Sequence, residues 1–271
     1  MEFKNKNILI TGASAGIGKA LATILVKDAA LVVLVARRLE KLEVLKNSLS
    51  EINPNIKVIL FGIDISIRDN QIKMLNDLKN ENINLDILIN NAGMGDESLF
   101  SESDWEKAEQ IMELNNKSVI SLTHLIVPKF IADPKGKCIV FIGSGGGIAW
   151  MAGSLVYSAS KHFITATAMI LRAELKPKGI QVNLVCPGPV DTEFDSVAGV
   201  DKGMKGGPSQ NTRISADECA NDIIKGITKN KASIFPGAKI NRLMKFYLML
   251  PWWLRRKILE SDAKKIYKNR S

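Results

Sequence analysis

Short apolar runs alternate along the chain with longer stretches in which apolar residues recur every three or four positions. The short runs cover Asn7 to Thr11, Leu31 to Ala36, Lys57 to Phe61, Asp86 to Asn90, Lys137 to Gly143, Ile180 to Cys186 and Ala232 to Phe235. The helical stretches lie near Ile17 to Lys27, Leu39 to Leu49, Asn70 to Lys79, Ser103 to Phe130, Leu155 to Leu175 and Ser215 to Lys229. Strands that are apolar throughout and alternate with helices are typical of a parallel sheet buried on both faces. We therefore predict an α/β fold built on one doubly wound, seven-stranded parallel sheet.

One irregular segment interrupts the alternation. It runs from Asp191 to Arg213 and contains four glycines and a proline. It ends just before Ser215-Ala216-Asp217-Glu218, which has the sequence of a capping box at the start of the last helix of the sheet. Ligands of α/β sheets bind at the carboxyl ends of the strands, so this segment is predicted to be a lid.

The formal charge of +9 lies almost entirely at the C-terminal end. Residues 239–271 contain ten Lys or Arg and two Asp or Glu, whereas residues 1–238 contain 27 and 26. We predict one domain over residues 1–238 and a basic, amphipathic helical extension over residues 239–271. Because the body is nearly neutral and lacks interleaved aromatic and basic residues, nucleic-acid binding is not expected.

The extension admits two interpretations. Helical spacing relates Ile240, Leu243, Met244 and Tyr247, and Pro251 is expected to separate two helices. Trp252 and Trp253 are followed by three cations, a combination that fits peripheral contact with a membrane surface through residues 239–257. The alternative, which we favour without excluding the first, is that the helix packs on the body or on another subunit and encloses a pocket.

Three cysteines, Cys138, Cys186 and Cys219, are widely spaced and form no Cys-x-x-Cys motif, so neither a disulfide framework nor a metal site is expected. The N-terminus leads directly into the first strand and leaves no room for a signal peptide. No window contains the ~18 uncharged apolar residues of a membrane span. We expect a cytoplasmic protein, with the membrane surface as the alternative location.

A glycine-rich segment follows the first strand and precedes a helix. It reads Thr11-Gly12-Ala13-Ser14-Ala15-Gly16-Ile17-Gly18. Glycines allow positive φ angles and let backbone N–H groups approach a phosphate at the positive end of the helix. Its position between a strand and a helix favours dinucleotide binding over a purely structural turn.

The end of the second strand bears on which dinucleotide binds. An acidic residue there accepts hydrogen bonds from the ribose hydroxyls of NAD. This chain has Arg37 and Arg38 instead, and two guanidinium groups suit the 2′-phosphate of NADP. NADP is therefore favoured over NAD. In the alternative interpretation, both arginines begin a solvated helix together with Glu40 and Glu43.

A phenol and an ammonium group lie one helical turn apart in Tyr157-Ser158-Ala159-Ser160-Lys161. A tyrosine hydroxyl ordinarily ionises near pH ~10, and a positive charge close to it lowers that pKa. The pair can therefore serve as a proton donor. Taken alone, the same spacing also fits the solvated face of an ordinary amphipathic helix.

From Lys4 to about residue 236 the chain resembles the short-chain dehydrogenase/reductase family. The resemblance rests on Thr11 to Gly18, Asn90-Asn91-Ala92-Gly93, Asn115, Ser144, Tyr157-x-x-x-Lys161 and Pro187-Gly188, which follow the family's order and spacing. Of the neighbours Asn115 and Asn116, spacing favours Asn115 as the family's asparagine. The resemblance implies a Rossmann fold and a homo-oligomer.

The resemblance also implies which positions hold the cofactor. They are Gly12, Ser14, Gly16, Ile17, Gly18, Arg37, Arg38, Asp64, Asn91, Tyr157, Lys161, Pro187, Val190 and Thr192. Asp64 would contact the adenine ring and Thr192 the nicotinamide carboxamide. Ala13 and Ser14 replace the basic residue that NADP-dependent members often carry in the glycine loop.

The four catalytic positions implied are Asn115, Ser144, Tyr157 and Lys161. Tyr157 would exchange a proton with the substrate oxygen, Ser144 would stabilise the negative charge on that oxygen, and Lys161 would hold the nicotinamide ribose. Asn115 would hold a water that links Lys161 to solvent. The expected activity is NADP(H)-dependent reduction of a carbonyl, or oxidation of an alcohol, with a lipophilic substrate such as a 3-oxoacyl or steroid-like ketone. The alternative is a non-catalytic NADP-binding sensor or scaffold, which an intact set of four residues disfavours.

Overall fold

The strands of the protein form one large parallel sheet and one small pair. The computed structural model describes residues 1–194, 198 and 212–270. Its strands are β1 (Asn7–Thr11), β2 (Leu31–Ala36), β3 (Lys57–Gly62), β4 (Ile87–Asn90), β5 (Cys138–Ile142), β6 (Gln181–Val185), β7 (Val190–Asp191), β8 (Ile214–Ser215) and β9 (Ser233–Ile234). Seven of them form a parallel sheet in the order β3-β2-β1-β4-β5-β6-β9. The predicted doubly wound, seven-stranded sheet is confirmed.

Helices follow the strands and cover both faces of the sheet. They are α1 (Gly16–Leu25), α2 (Leu39–Ile52), α3 (Arg68–Asn80), α4 (Trp105–Met112), α5 (Ser118–Ala132), α6 (Leu155–Leu175), α7 (Ala216–Thr228), α8 (Ala238–Met249) and α9 (Trp252–Arg270). The predicted capping box begins α7, because the Ser215 hydroxyl accepts a hydrogen bond of 3.0 Å from the backbone N–H of Glu218.

The core consists of two apolar layers, one on each face of the sheet. Successive side chains of a strand point to opposite faces, so Ile8 and Ile10 of β1 pack with α1, α2 and α7, while Leu9 packs with α3, α5 and α6. All three residues are fully buried. Burial on both faces explains why the strands are apolar throughout.

The helical stretch predicted between Ser103 and Phe130 is divided in the structure. Residues Glu113–Lys117 form a π-helical turn between α4 and α5. A π turn accommodates one more residue than an α turn and often occurs at functional sites. Here it contains the buried Asn115.

The segment after β6 is described only in part. Val190–Asp191 pairs with Ile214–Ser215 in a separate two-stranded sheet, which the sequence patterns do not indicate. Most of the predicted lid, residues 195–197 and 199–211, lies outside the described residues.

The C-terminal extension forms the two predicted helices, α8 and α9, on either side of Pro251. Ile240, Met244 and Tyr247 of α8 are buried, whereas Leu243 is about half exposed. Both helices pack on the body, as in the interpretation that the sequence favoured. Among the helices of the described residues, none combines the length and apolarity that crossing a bilayer requires.

Candidate active site

The main cavity lies where the order of the strands reverses. β1 is flanked by β2 on one side and by β4 on the other, so the loops that follow β1 and β4 diverge at the carboxyl edge of the sheet. Ligands of open α/β sheets bind at this switch point. The cavity measures about 1640 Å³ and is lined by these loops, by those after β2, β3, β5 and β6, and by α6, α8 and α9. It exceeds the volume of about 300–1,000 Å³ typical of a small-ligand pocket.

The glycine loop approaches the cavity with its backbone. Gly12 and Gly16 have φ angles of +66° and +55°, which favour glycine. A Cβ atom at Gly18 would collide with the carbonyl oxygen of Gly12, so this glycine permits the loop to close onto α1. Ala15, Gly16 and Ile17 line the cavity at the start of α1. The first-turn N–H groups therefore form an anion site that suits a pyrophosphate.

Asn91 fixes this loop to β4. Its Nδ2 donates hydrogen bonds to the carbonyl oxygens of Thr11, at 2.9 Å, and Gly12, at 3.1 Å. The Thr11 hydroxyl in turn accepts hydrogen bonds of 3.0 Å from the N–H groups of Asn91 and Ala92. Asn91 thus lines the cavity and also holds together the two loops of the switch point.

Arg37 and Arg38, which follow β2, line the same cavity near the glycine loop. Arg38 donates from Nη2 to the Ser14 hydroxyl at 3.3 Å and from Nη1 to the Glu193 carboxylate at 3.0 Å. Asp64, after β3, accepts hydrogen bonds from the backbone N–H and the hydroxyl of Ser66 at 2.9 and 2.7 Å. The guanidinium of Arg38, the Ser14 hydroxyl and the N–H groups of α1 thus form a basic region beside the glycine loop.

Ser144, Tyr157 and Lys161 line the opposite part of the cavity. Ser144 follows β5, and its hydroxyl accepts a hydrogen bond of 3.0 Å from the N–H of Gly146. The Lys161 Nζ lies 5.8 Å from the centre of the Tyr157 ring and donates to the carbonyl oxygen of Ile142 at 3.1 Å. Burial lowers the pKa of Lys161 to about 8, because desolvation disfavours its charged form.

Gly145–Gly147, a short 3₁₀ turn, joins Ser144 to α6. A Cβ atom at Gly147 would lie only 2.5 Å from the carbonyl oxygen of Lys161. Ser158 and Thr165 of α6 donate hydrogen bonds of 2.8 and 3.0 Å to the carbonyl oxygens of Gly146 and Gly147. The glycines therefore allow the turn to press against α6, which fixes Ser144 relative to the helix that carries Tyr157.

Asn115 lies behind the cavity wall. Its Oδ1 accepts from the N–H of Met94 and its Nδ2 donates to the carbonyl oxygen of Met94, both at 2.9 Å. The Nδ2 also donates to the Ser160 hydroxyl at 2.9 Å. A Cβ atom at Gly93 would lie 3.1 Å from Asn115 Oδ1 and 3.3 Å from Lys161 Nζ. The two polar groups therefore flank the space that a side chain at position 93 would fill.

Asn116, the neighbouring asparagine, faces α6 rather than Met94. Its Nδ2 donates to the backbone oxygen of Ser160 at 2.9 Å. The structure thus separates the two: Asn115 lies beside Lys161 through Gly93, and Asn116 ties the π turn to α6.

The segment after β7 approaches the glycine loop. A Cβ atom at Gly16 would lie 3.1 Å from the Thr192 methyl group, and the Thr192 hydroxyl accepts a hydrogen bond of 3.2 Å from the N–H of Phe194. The Phe194 ring lies 5.7 Å from that of Tyr157, at 50°. The segment therefore spans both ends of the cavity.

The C-terminal helices close one side of the cavity. A Cβ atom at Gly188 would lie 2.6 Å from Ile240 of α8. Trp252 of α9 packs edge-on against Trp150, with ring centres 4.5 Å apart at 78°. Most of the extension's contribution to the cavity is apolar.

The structure brings together nearly all of the residues that the sequence singles out. Those that line the cavity are Gly12, Ser14, Gly16, Ile17, Arg37, Arg38, Asp64, Asn91, Ser144, Tyr157, Lys161, Pro187, Val190 and Thr192. Gly18 and Asn115 lie outside that wall, one closing the glycine loop and the other behind Gly93. Phe194, Trp150, Glu193 and Lys41 were not anticipated. The only sequence signal for Glu193 and Phe194 is that they directly follow Thr192.

Among the described residues, no three His, Cys, Asp or Glu side chains lie close enough together to hold a metal ion. The three cysteines are buried and reduced. Burial raises the pKa of each thiol to about 12.

Comparison with known proteins gives a consistent result. The sequence matches the short chain dehydrogenase family over residues 6–202. It is 33% identical to a Dehydrogenase/reductase SDR family protein 7-like from Dictyostelium discoideum, over 97% of this chain and 84% of that protein. It is 34% identical to an NADP-dependent 3-hydroxy acid dehydrogenase from Salmonella typhi, over 70% of this chain and 75% of that protein.

Solved structures share the fold. A short-chain dehydrogenase from Sphingobium yanoikuyae in complex with NADPH superposes with a TM-score of 0.77 at 27% identity, covering 97% of this chain and 95% of that one. Other structures of this fold are complexes with NADP or with NAD.

Proposed function

The chain belongs to the short-chain dehydrogenase family, and we propose that it transfers hydride between NADP(H) and a carbonyl or secondary alcohol with Tyr157 as the proton donor and acceptor. One observation carries the proposal. Ser144, Tyr157 and Lys161 line one wall of a cavity whose other end is the glycine loop and Arg38. Membership of the family makes the chain an oxidoreductase that binds a nicotinamide cofactor. The choice of NADP(H) and the role of Tyr157 are proposed from this arrangement.

The cavity suits a dinucleotide. A Cβ atom at Gly12 or Gly18 would collide with Ala92 or with the Gly12 carbonyl oxygen, so the two glycines let the loop pack closely in this place, and the start of α1 offers N–H groups to a pyrophosphate. Arg38 and Ser14, hydrogen bonded to each other, suit a 2′-phosphate. Asp64, Pro187, Val190 and Thr192 line the stretch between the adenine and nicotinamide ends. Solved structures of this fold hold NADPH or NAD, so the choice of NADP rests on Arg38 and Ser14.

The chemistry requires a proton for each hydride. A nicotinamide held beside Tyr157 and Lys161 would supply the hydride that the carbonyl carbon takes up. Tyr157 donates its hydroxyl proton to the carbonyl oxygen, which becomes the alcohol, and the nearby Lys161 cation stabilises the tyrosinate left behind. Ser144 donates a hydrogen bond to the same oxygen as negative charge develops there. In the oxidation direction the tyrosinate takes the proton back.

Asn115 acts as a positioning residue in this scheme. Its Oδ1 and the Lys161 Nζ flank the same space beside Gly93. That space suits a small polar molecule such as water, through which Lys161 would exchange protons with solvent. Asn115 is held in this orientation by its two hydrogen bonds to Met94.

The substrate is proposed to be lipophilic. Trp150, Met151 and Phe194 line the cavity near Tyr157, and Leu243, Met244 and Phe246 line it from α8. Such walls favour the apolar part of a 3-oxoacyl or steroid-like ketone. The relative named as acting on 3-hydroxy acids lends support to an oxygen function on a carbon chain.

Replacing Tyr157 with phenylalanine tests the proposal. Tyr157→Phe removes the transferable proton but keeps the ring that contacts Phe194, so NADPH binding should persist while NADPH consumption falls by at least about 10²-fold. The measurement uses a panel of ketones and aldehydes, including 3-oxoacyl thioesters. Unchanged turnover in this variant would refute the role of Tyr157. Cofactor binding by the wild type without turnover of any panel member would favour the sensor or scaffold.

The extension is proposed to touch a membrane surface with its outer side. Phe246, Met249, Trp252 and Trp253 are each more than half exposed around the corner between α8 and α9. Lys257, one of the neighbouring cations, lies 5.3 Å from the centre of the Trp253 ring. Indoles next to cations suit the headgroup region of an anionic bilayer.

A homo-oligomer is also proposed. Apolar side chains are exposed on the outer helices, among them Ile120 of α5 and Phe163 and Ile170 of α6. A second copy could cover them. Light scattering after size exclusion measures the state directly, and a monomer at all concentrations would refute it.

A further inference from the structure

A carboxylate already occupies the basic region where the 2′-phosphate is proposed to bind. The Glu193 Oε2 lies 3.0 Å from Arg38 Nη1, and its Oε1 lies 2.8 Å from Lys41 Nζ. Arg38 at the same time donates to Ser14. One guanidinium thus binds both the hydroxyl of the glycine loop and a carboxylate from the segment after β7.

The neighbouring charges make the carboxylate an anion under all ordinary conditions. Hydrogen bonds from Lys41 and Arg38 hold the pKa of Glu193 below its usual value. A phosphate monoester carries between one and two negative charges near neutral pH. If both anions shared Arg38, they would repel each other across a few ångströms. Since Glu193 is about half exposed, its side chain can turn into solvent at the cost of the interactions that it makes in this structure.

In the sequence, Glu193 lies between two residues that make contacts at opposite ends of the cavity. It stands between Thr192, which contacts Gly16 of the glycine loop, and Phe194, whose ring contacts Tyr157. The ion pairs with Arg38 and Lys41 therefore tie the segment that borders Tyr157 to the start of α2.

We propose that Glu193 is an internal competitor for the 2′-phosphate and a determinant of cofactor selectivity. Binding of a 2′-phosphate exchanges the carboxylate for the phosphate at Arg38 and Lys41 and releases the segment Thr192 to Phe194 from α2. A cofactor without this phosphate leaves the ion pairs in place. Glu193 thereby weakens NADPH binding, limits the preference for NADPH over NADH, and makes Lys41 a further phosphate-binding residue. The inference rests on the proposed binding of NADP by Arg38.

Neutralising the carboxylate tests the competition. Glu193→Gln keeps the shape of the side chain and should tighten NADPH binding about two- to fivefold, the size of an exposed ion pair, with little change for NADH. Glu43→Gln is the matched control, because it removes the same charge from α2 two residues beyond Lys41, on another face of the helix. The Glu43→Gln variant should bind NADPH and NADH with the same affinities as the wild type. Titration of cofactor fluorescence measures both dissociation constants.

A double-mutant cycle adds a second readout. If the carboxylate acts through Arg38, Glu193→Gln should have much less effect on NADPH affinity in an Arg38→Gln background than in the wild type. Unchanged or weaker NADPH binding in Glu193→Gln, while the wild type prefers NADPH, overturns the competition and leaves the proposed cofactor standing. Equal affinity of the wild type for NADPH and NADH, with no loss in Arg38→Gln, overturns the proposed cofactor together with this inference.

Discussion

Lys161 combines a buried position with a charge that the proposed chemistry needs. Burial lowers its pKa to about 8, so the ammonium group is lost as the pH rises through that value. The loss removes the cation that stabilises the tyrosinate at Tyr157. We predict that kcat/KM for ketone reduction falls by about tenfold per pH unit above about pH 8.

The pH profile has a direct control. Lys161→Met lacks the titrating group and should show little activity with no inflection near pH 8, although it retains the fold. A wild-type profile that stays flat to pH 10 would contradict the assignment. NADPH affinity measured over the same range separates loss of cofactor binding from loss of chemistry.

Single residues also mark the limits of prediction from sequence. Tyr157, Lys161 and Ser144 could be identified because their order and spacing match the family's pattern, whereas the helical spacing of Tyr157 and Lys161 alone also fits a solvated helix face. The pairing of Glu193 with Arg38 and Lys41 could not, because it joins positions about 150 residues apart. An exposed ion pair produces no periodic pattern in the sequence, because neither partner has to be apolar or regularly spaced.

Among the secondary structure elements, the strands were predicted closely and the long helix before β5 was not. Strands buried on both faces are visible as apolar runs, and their predicted bounds differ from the observed ones by few residues. The π turn at Glu113–Lys117 leaves the helical repeat almost intact on either side, so periodicity cannot reveal it. The pair β7 and β8 has only two residues per strand, too few for alternation to appear.

The corner between α8 and α9 carries the proposed membrane contact. Replacing Met249 and Trp253 with serine removes exposed apolar area without touching Phe246, which also borders the cavity, or the buried Ile240, Met244 and Tyr247. We predict that the wild type floats with vesicles containing anionic phosphatidylserine and that the partition coefficient of this variant is at least about tenfold lower, because each exposed apolar side chain contributes on the order of 1–3 kcal/mol when buried.

Val44→Ser is a control for this experiment. Val44 is also more than half exposed but lies on α2. It should leave flotation unchanged. If the wild type stays unbound at low salt, the membrane contact is refuted, and packing on the body is then the sole role left to the extension.

Alkaline stability is a property of the whole molecule. Each buried thiol has its pKa raised from 9.0 to about 12. Above pH 9 the unfolded chain loses thiol protons that the folded protein keeps, so the free energy of unfolding falls with pH. Lys161 has the opposite effect between pH 8 and 10.5, where the unfolded chain holds the extra proton, but one lysine is opposed by three thiols.

We therefore predict a net loss of stability above pH 9, with Cys138 and Cys219 as separable contributors. In Cys138→Ala or Cys219→Ala the fall in unfolding free energy between pH 9 and 10 should be about 1 kcal/mol smaller than in the wild type. Urea unfolding at pH 7, 9 and 10 gives this difference, with pH 7 as the baseline for the lost packing. Equal falls in wild type and variants would show that these thiols ionise in the folded state.

The contact between Trp150 and Trp252 also gives the closed cavity an optical signature. Two indoles held edge to face at 4.5 Å couple their strong electronic transitions, and such a pair contributes an exciton band to the far-ultraviolet circular dichroism spectrum. Trp150 belongs to the body and Trp252 to the extension, so the band exists only while the extension is docked. The amplitude of this band would therefore report, without any added label, whether the extension is docked on the body in solution.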